Sequence, residues 1–140
     1  MAGLLDSNIF IEGFRHYRES LASWIEKQQN VMTCDMAVAE FLAGAHSLKD
    51  PKNQDDQLKF FHAVIEPLPS VTLSREICER AGFLIGRAKL NGKQIKMPDA
   101  MIGACAESKG VPVWTDDEDF KNMGCDSANP LKDFSSQASA

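Results

Sequence analysis

Short apolar runs of strand type alternate along this chain with longer stretches whose apolar residues recur three and four apart, and no repeat or low-complexity block interrupts them. Residues 3–6 read as a first strand, with Ser7 or Asn8 available to cap the helix that follows. Leu21, Trp24 and Ile25 mark one face of a helix over 18–29, and residues 31–34 form a second strand. Asp35 then caps a helix carrying Val38, Phe41 and Leu42. A helix over 53–65 sets Leu58, Phe61 and Ile65 on one side; Pro67 and Pro69 end it and bracket a short extended piece. Ser74 opens a helix that runs to about residue 90, and Asn91, Gly92 and Lys93 make a turn. Pro98 suits the first turn of a helix ending at Lys109, Gly110 terminates it, and 111–115 returns as a strand. Strands alternating with helices in this way predict the α/β class, with a mainly parallel sheet wrapped by helices.

Composition narrows this picture. A chain of 140 residues, 44% hydrophobic and 25% charged, buries one ordinary core and is too short for two. We expect a single domain over residues 1–134 and a polar, mobile tail at 135–140. No stretch approaches the ~20 apolar residues of a membrane span. Residues 1–14 carry Asp6 and Glu12 where a signal peptide would be basic and then apolar, so a cytoplasmic protein is expected. Cys34, Cys78, Cys105 and Cys125 are widely spaced, with no C-x-x-C pair and no His at zinc-finger spacing, and read as reduced core thiols. Trp24, Ile25, Phe60, Phe61 and Val64 suit either the core or a dimer interface, and core is the simpler assignment.

Acidic residues bring in the candidate chemistry. Four sit in apolar or turn-forming surroundings far apart in the chain: Asp6 after Leu4-Leu5, Glu40 before Phe41, Asp99 after Met97-Pro98, and Asp117 within Trp114-Thr115-Asp116-Asp117-Glu118-Asp119-Phe120. The predicted elements put Asp6 and Asp117 at the carboxyl ends of strands, where open α/β sheets gather ligands. Asp99 falls in the first turn of its helix, where unpaired amides favour an ionised carboxylate. Glu40 lies about a turn and a half into a mostly apolar helix. Singly, each has a plainer explanation as a cap, a first-turn residue, a solvated helix position or one charge in an acidic loop. Together they are harder to set aside, because carboxylates gathered by a fold repel one another and pay desolvation unless a divalent cation joins them. Ligands that are all oxygen suit a hard cation, whereas zinc would usually recruit His or Cys. His16, His46 and His62 lack the spacing of a metal or general-base pair and read as surface or packing histidines.

The flanks of those acids carry a resemblance. Leu4-Leu5-Asp6-Ser7-Asn8-Ile9-Phe10-Ile11, Ala39-Glu40-Phe41-Leu42-Ala43-Gly44, Pro98-Asp99-Ala100-Met101-Ile102-Gly103-Ala104 and Thr115-Asp116-Asp117-Glu118-Asp119-Phe120 resemble the four signature blocks of the PIN-domain ribonucleases, and within them the VapC-type toxins of bacterial toxin-antitoxin pairs. The match runs in order from Leu4 to about Pro130, where Asn129-Pro130 resembles the family's closing strand. It implies a three-layer α/β/α sandwich around a central, mainly parallel sheet of four or five strands. It also implies a Mg²⁺- or Mn²⁺-dependent endoribonuclease toxin that hydrolyses phosphodiester bonds in transfer RNA or a ribosomal RNA loop, dimerises, and is neutralised by a VapB-type antitoxin. Asp6, Glu40, Asp99 and Asp117 carry over as the catalytic acids. Asp6, Asp99 and Asp117 would hold the metal, with Asp119 competing for the fourth place and Glu40 a further ligand. Ser7, Asn8 and Thr115 resemble the polar residues that bond the carboxylates or the scissile phosphate, with Asp116 exposed or in support.

A net charge of −5 argues against a nucleic-acid partner, but its distribution weakens the objection. Between Arg75 and Lys96 six cations face two acids, and Arg15, His16 and Arg18 follow the first block. Arg15, Arg87, Lys93 and Lys96 are the candidates for touching RNA; solvated helix faces would look the same. Two other functions remain open on sequence. One is a PIN-like module that binds RNA or a partner without cutting. The other is a receiver-like phosphate switch, which needs an acceptor Asp at a middle strand end, whereas Asp50, Asp55 and Asp56 fall in a polar loop or helix start.

Overall fold

Leu4 and Leu5 are consecutive and both fully buried, which a chain achieves in a strand with apolar layers on both faces. The computed structural model describes residues 1–132 and makes that strand, β1 (Ala2–Leu5), the centre of a parallel sheet. Its companions are β2 (Asn30–Cys34), β3 (Ser70–Val71), β4 (Val113–Trp114) and β5 (Ser127–Ala128), in the order β3-β2-β1-β4-β5. The tail expected at 135–140 lies outside the described residues.

Strand pairing sorts the side chains into two cores. Leu4 pairs with Val113 and Leu5 with Trp114. Leu4 and Val113 join the core under α5 (Arg75–Leu90) and α6 (Met97–Lys109). Leu5 and Trp114 face the other way, into the core beneath α1 (Ser7–His16), α2 (Arg18–Lys27), α3 (Asp35–His46) and α4 (Pro51–Phe60). The result is the α/β/α sandwich, and its sheet is parallel at every pairing among the described residues. Gly3 is required by the close approach of β4: a Cβ there would lie 2.4 Å from Cε2 of Trp114. The Trp114 ring is itself held edge-on against Trp24, at 4.7 Å between centroids.

Several local expectations are corrected. Asp6, with extended φ −76° and ψ 156°, caps α1 in place of Ser7 or Asn8, its carboxylate accepting from the Ser7 amide. Asp35 is the first residue of α3, after Cys34 in the cap position, and its carboxylate accepts from the Ser70 hydroxyl at 2.6 Å. Asp50 caps α4, which starts at Pro51, two residues before the expected 53, and the helix widens into a π turn over Phe61–Ile65. The 111–115 strand shrinks to β4, and the short α7 (Asp119–Asn122) and β5 follow it, both too short to show a periodic pattern. Trp24 and Phe60 are buried, in keeping with a core role. Cys34, Cys105 and Cys125 are buried free thiols, but Cys78 is exposed, because it falls beside the α5 stripe of Ile77, Ala81, Leu84 and Ala88. Among the described residues no helix is long and apolar enough to cross a membrane.

Candidate functional site

The strand order places β2 and β4 on opposite sides of β1, so the chain reverses its direction of winding there and a crevice opens beyond the carboxyl ends of β1 and β4. Asp6 leaves β1 and Thr115 leaves β4 at that crevice, joined by the Asp6 amide donating to the Trp114 carbonyl at 3.0 Å. The two oxygens of Asp6 then take different partners. Oδ1 accepts the Ser7 amide at 2.7 Å, and Oδ2 accepts the Thr115 hydroxyl at 2.8 Å. The Ser7 hydroxyl donates to Oε1 of Glu40 at 3.1 Å, tying α3 to the same pocket.

Thr115 organises the other side. Its Oγ1 accepts the Asp117 amide at 3.0 Å and the side-chain amide of Asn8 at 3.1 Å. The Asp117 Oδ1 in turn accepts the Asp119 amide at 2.9 Å. This turn chemistry folds the acidic loop back so that Asp117 and Asp119 both face Asp99, which projects from the first turn of α6. Carboxylate oxygens of Asp99, Asp117 and Asp119 all lie within 4.8 Å of one another.

Burial and crowding show in the proton affinities. Asp6 is 3% exposed, and burial pushes its carboxyl from 3.8 up to about 7; the bonds from Thr115 and Ser7 pull it down, while Asp99 and Glu40 push it up. Burial likewise lifts Asp99 from 3.8 to about 6, with Asp117, Glu40 and Asp119 adding repulsion and Lys96 opposing it. Carboxylates so placed are poorly neutralised by the protein itself. The donor set is oxygen throughout, which fits Mg²⁺ or Mn²⁺ better than zinc.

Thus Asp6, Ser7, Asn8, Glu40, Asp99, Thr115, Asp117 and Asp119 come together, with both Asp117 and Asp119 facing Asp99. Asp116 does not join them. It is exposed, and its pKa is raised by burial first and then by Glu12. Arg15 lies 4.0 Å from Glu12 on α1, and Arg87 sits over the Phe83 ring at 5.5 Å, lining a different groove from the acids. Lys93 and Lys96 do flank the acidic pocket, sharing a groove with Asp119. So does Lys89, which sequence reasoning left out of the site; its spacing of four from Lys93 across the Asn91-Gly92 turn was the available signal. The three histidines are exposed, His62 paired with Glu66 and His16 near Glu12. Asp50 caps α4 and Asp55 pairs with Lys59, so neither offers a receiver-like acceptor site.

Comparison with known proteins agrees with this architecture. The structure of FitAcB from Neisseria gonorrhoeae contains a chain similar at 24% identity and TM-score 0.79, over 91% of this chain and 97% of that one. VapBC-5 of Mycobacterium tuberculosis, a member of the VapBC family of toxin-antitoxin systems, gives 21% identity and TM-score 0.72 over 91% of this chain and 96% of that one. VapC20 of the same organism, described as a sarcin-ricin loop cleaving toxin, gives 15% identity and TM-score 0.70 over 92% and 100%. No curated protein sequence matches the chain. The family model of the PIN domain matches residues 3–124, which span the sheet from β1 through the loop after β4 and so include every acid of the crevice, and the chain belongs to the PIN-domain family.

Proposed function

We propose that this protein is a divalent-cation-dependent endoribonuclease that acts as the toxin of a toxin-antitoxin pair. One observation carries the reading: Asp6, Glu40, Asp99, Asp117 and Asp119, from separate parts of the chain, meet at the sheet's crevice without arginine or lysine ion pairs among the described residues to neutralise them. Asp99, Asp117 and Asp119 would hold the ion, with Asp6 and Glu40 behind them. Bound there, Mg²⁺ or Mn²⁺ would polarise a scissile phosphate, lower the pKa of an attacking water and stabilise the departing 3′ oxygen. The residues of the chain fix the stage. Thr115 and Ser7 hold Asp6 and Glu40 in single orientations, and the dipole of α6 favours the ionised form of Asp99. Glu40 or Asp99, through a shared water, takes the proton released on attack.

The solved relative VapBC-5 belongs to a family of toxin-antitoxin systems, which supports an antitoxin as partner, and the acidic groove is the surface we assign to it. VapC20 is described as cleaving the sarcin-ricin loop, and a structured RNA loop or transfer RNA is the substrate class proposed here. A homodimer is the assembly expected of this reading. The test is cleavage of total RNA with Mg²⁺ by the purified chain and by Asp6→Asn and Asp99→Asn. Both substitutions should abolish cleavage while circular dichroism stays unchanged. Full activity in both would remove the proposal, and an inactive wild-type chain that still binds RNA would leave the non-cutting module instead.

A further inference from the structure

Resting on the nuclease reading, we propose that Lys89, Lys93 and Lys96 form a track that positions the RNA strand by its phosphates on one side of the acidic pocket. The three lysines line a groove of about 390 Å³ together with Gln94, Ile85, Ile95 and Asp119, and Asp119 is one of the clustered acids. The groove is built by folded backbone. Gly92 takes a left-handed conformation at φ 74°, and the Lys93 amide donates to the Ala88 carbonyl at 2.9 Å, closing the end of α5. Ile95 is buried in the core, and Met97 and Pro98 open α6 at once. Short anchored connections on both sides therefore fix where the lysine stems leave the surface.

Charge pairing and position together separate these lysines from the arginines of α5: Arg87 also makes no ion pair among the described residues, but it sits over the Phe83 ring and lines a different groove. On the same helix, Arg75 and Arg80 give their charge to Glu79 and Glu107, at 3.2 and 2.7 Å. Among the described residues, Lys89, Lys93 and Lys96 make no ion pair within 4.0 Å, although the chain carries a net −5 and supplies acids freely elsewhere. Unpaired lysines beside a carboxylate cluster answer a need that any RNA would meet there. A polyanion approaching five acids is repelled, and cations on the approach lower that barrier. Compact ammonium groups on flexible stems contact phosphates as point charges and read no sequence. The groove holds no aromatic ring for base stacking, so the track grips the backbone and leaves sequence choice to other surfaces.

Binding of a labelled single-stranded RNA of about 12 nucleotides, followed by anisotropy in chelator across a salt series, tests the track without relying on catalysis. The Lys89→Gln/Lys93→Gln double variant should weaken binding about tenfold near physiological salt and flatten the log–log salt slope by about 1.4, the loss of two phosphate contacts on a single strand. The Lys89→Arg/Lys93→Arg variant should restore both. With Mg²⁺, the glutamine variant should raise KM by the same factor and leave kcat unchanged. Equal affinity and slope in wild type and glutamine variant would overturn the proposal, as would a wild type that binds no RNA, or a variant that loses only an acidic protein partner. A wild type whose RNA binding depends on the lysines yet shows no Mg²⁺-dependent cleavage would instead sink the nuclease reading and keep the track.

Discussion

Asp6→Asn should make the metal-free protein more stable at pH 8, even though it removes a residue at the centre of the proposed site. Burial raises the Asp6 carboxyl from 3.8 to about 7, so folding increases its affinity for protons roughly a thousandfold. Between those two values the folded chain holds a proton that the unfolded chain has released. Stability therefore falls as pH rises from about 4 to about 7, by about 4 kcal/mol for this one group, and is flat above. Asparagine never ionises and escapes that loss. Its oxygen still accepts the Ser7 amide, but its NH₂ meets Thr115 Oγ1, which already accepts from Asn8 and Asp117, so about 1–2 kcal/mol of hydrogen bonding is lost. The balance is a gain of about 2 kcal/mol at pH 8, or roughly 4–8 °C in Tm for a domain of this size. At pH 5 Asp6 is protonated in the wild type, and the variant should be equal or slightly less stable. Thermal melts in chelator at pH 5, 6, 7 and 8 read the difference directly. A difference that does not change sign or grow between pH 5 and 8 would refute the argument that Asp6 ionises at a cost.

Two further outcomes follow from the same geometry. Because Asp99, proposed to hold the ion, and Asp6 behind it must lose protons held up to about 6 and about 7, the rise in Tm on adding Mg²⁺ should be small at pH 5 and large at pH 8, and cleavage should climb over the same interval; a Mg²⁺ shift independent of pH would count against this acidic pocket as the ion's site. Gly3→Ala should destabilise by about 2–3 kcal/mol in urea melts, because its Cβ would lie 2.4 Å from a Trp114 ring that Trp24 holds in place, and a loss below about 0.5 kcal/mol would show that the ring can move.

What the sequence made legible was whatever a period or a run could carry. The apolar strands β1 and β2, the long helices α5 and α6, and the Gly110 stop all have a pattern longer than a turn. What stayed hidden was decided by partners distant in the chain. The closing strand was expected at Asn129-Pro130 and lies instead at Ser127–Ala128, because two-residue β5 is fixed by Val113 and Trp114 alongside it and not by a pattern of its own. The cap of α1 was assigned one or two residues late, since Asp6, Ser7 and Asn8 are all good caps and only the backbone angles decide among them. Asp117 and Asp119 could not be ranked from sequence because the turn through Thr115 turns both inward. The lysine track was half visible as an excess of positive charge, but the pairing that cancels Arg75 and Arg80 while sparing Lys89, Lys93 and Lys96 is a property of the folded surface.

Asp6 was readable as a helix cap or as a member of an acidic site, and the structure shows that these are not competing descriptions. One oxygen caps α1 through the Ser7 amide; the other faces Thr115 at the crevice. A cap alone does not need a charge: asparagine and serine serve about as well, and in this pocket they would avoid the roughly 4 kcal/mol that ionisation costs. Folding by itself therefore gives no reason for an acid here and a substantial reason against one. The same holds more weakly for Asp99, lifted to about 6 by burial and by the carboxylates around it. Residues that work against the stability of the bare fold need their explanation in what the fold binds, and the attraction of a divalent cation offsets both the cost of burying these carboxylates and their mutual repulsion.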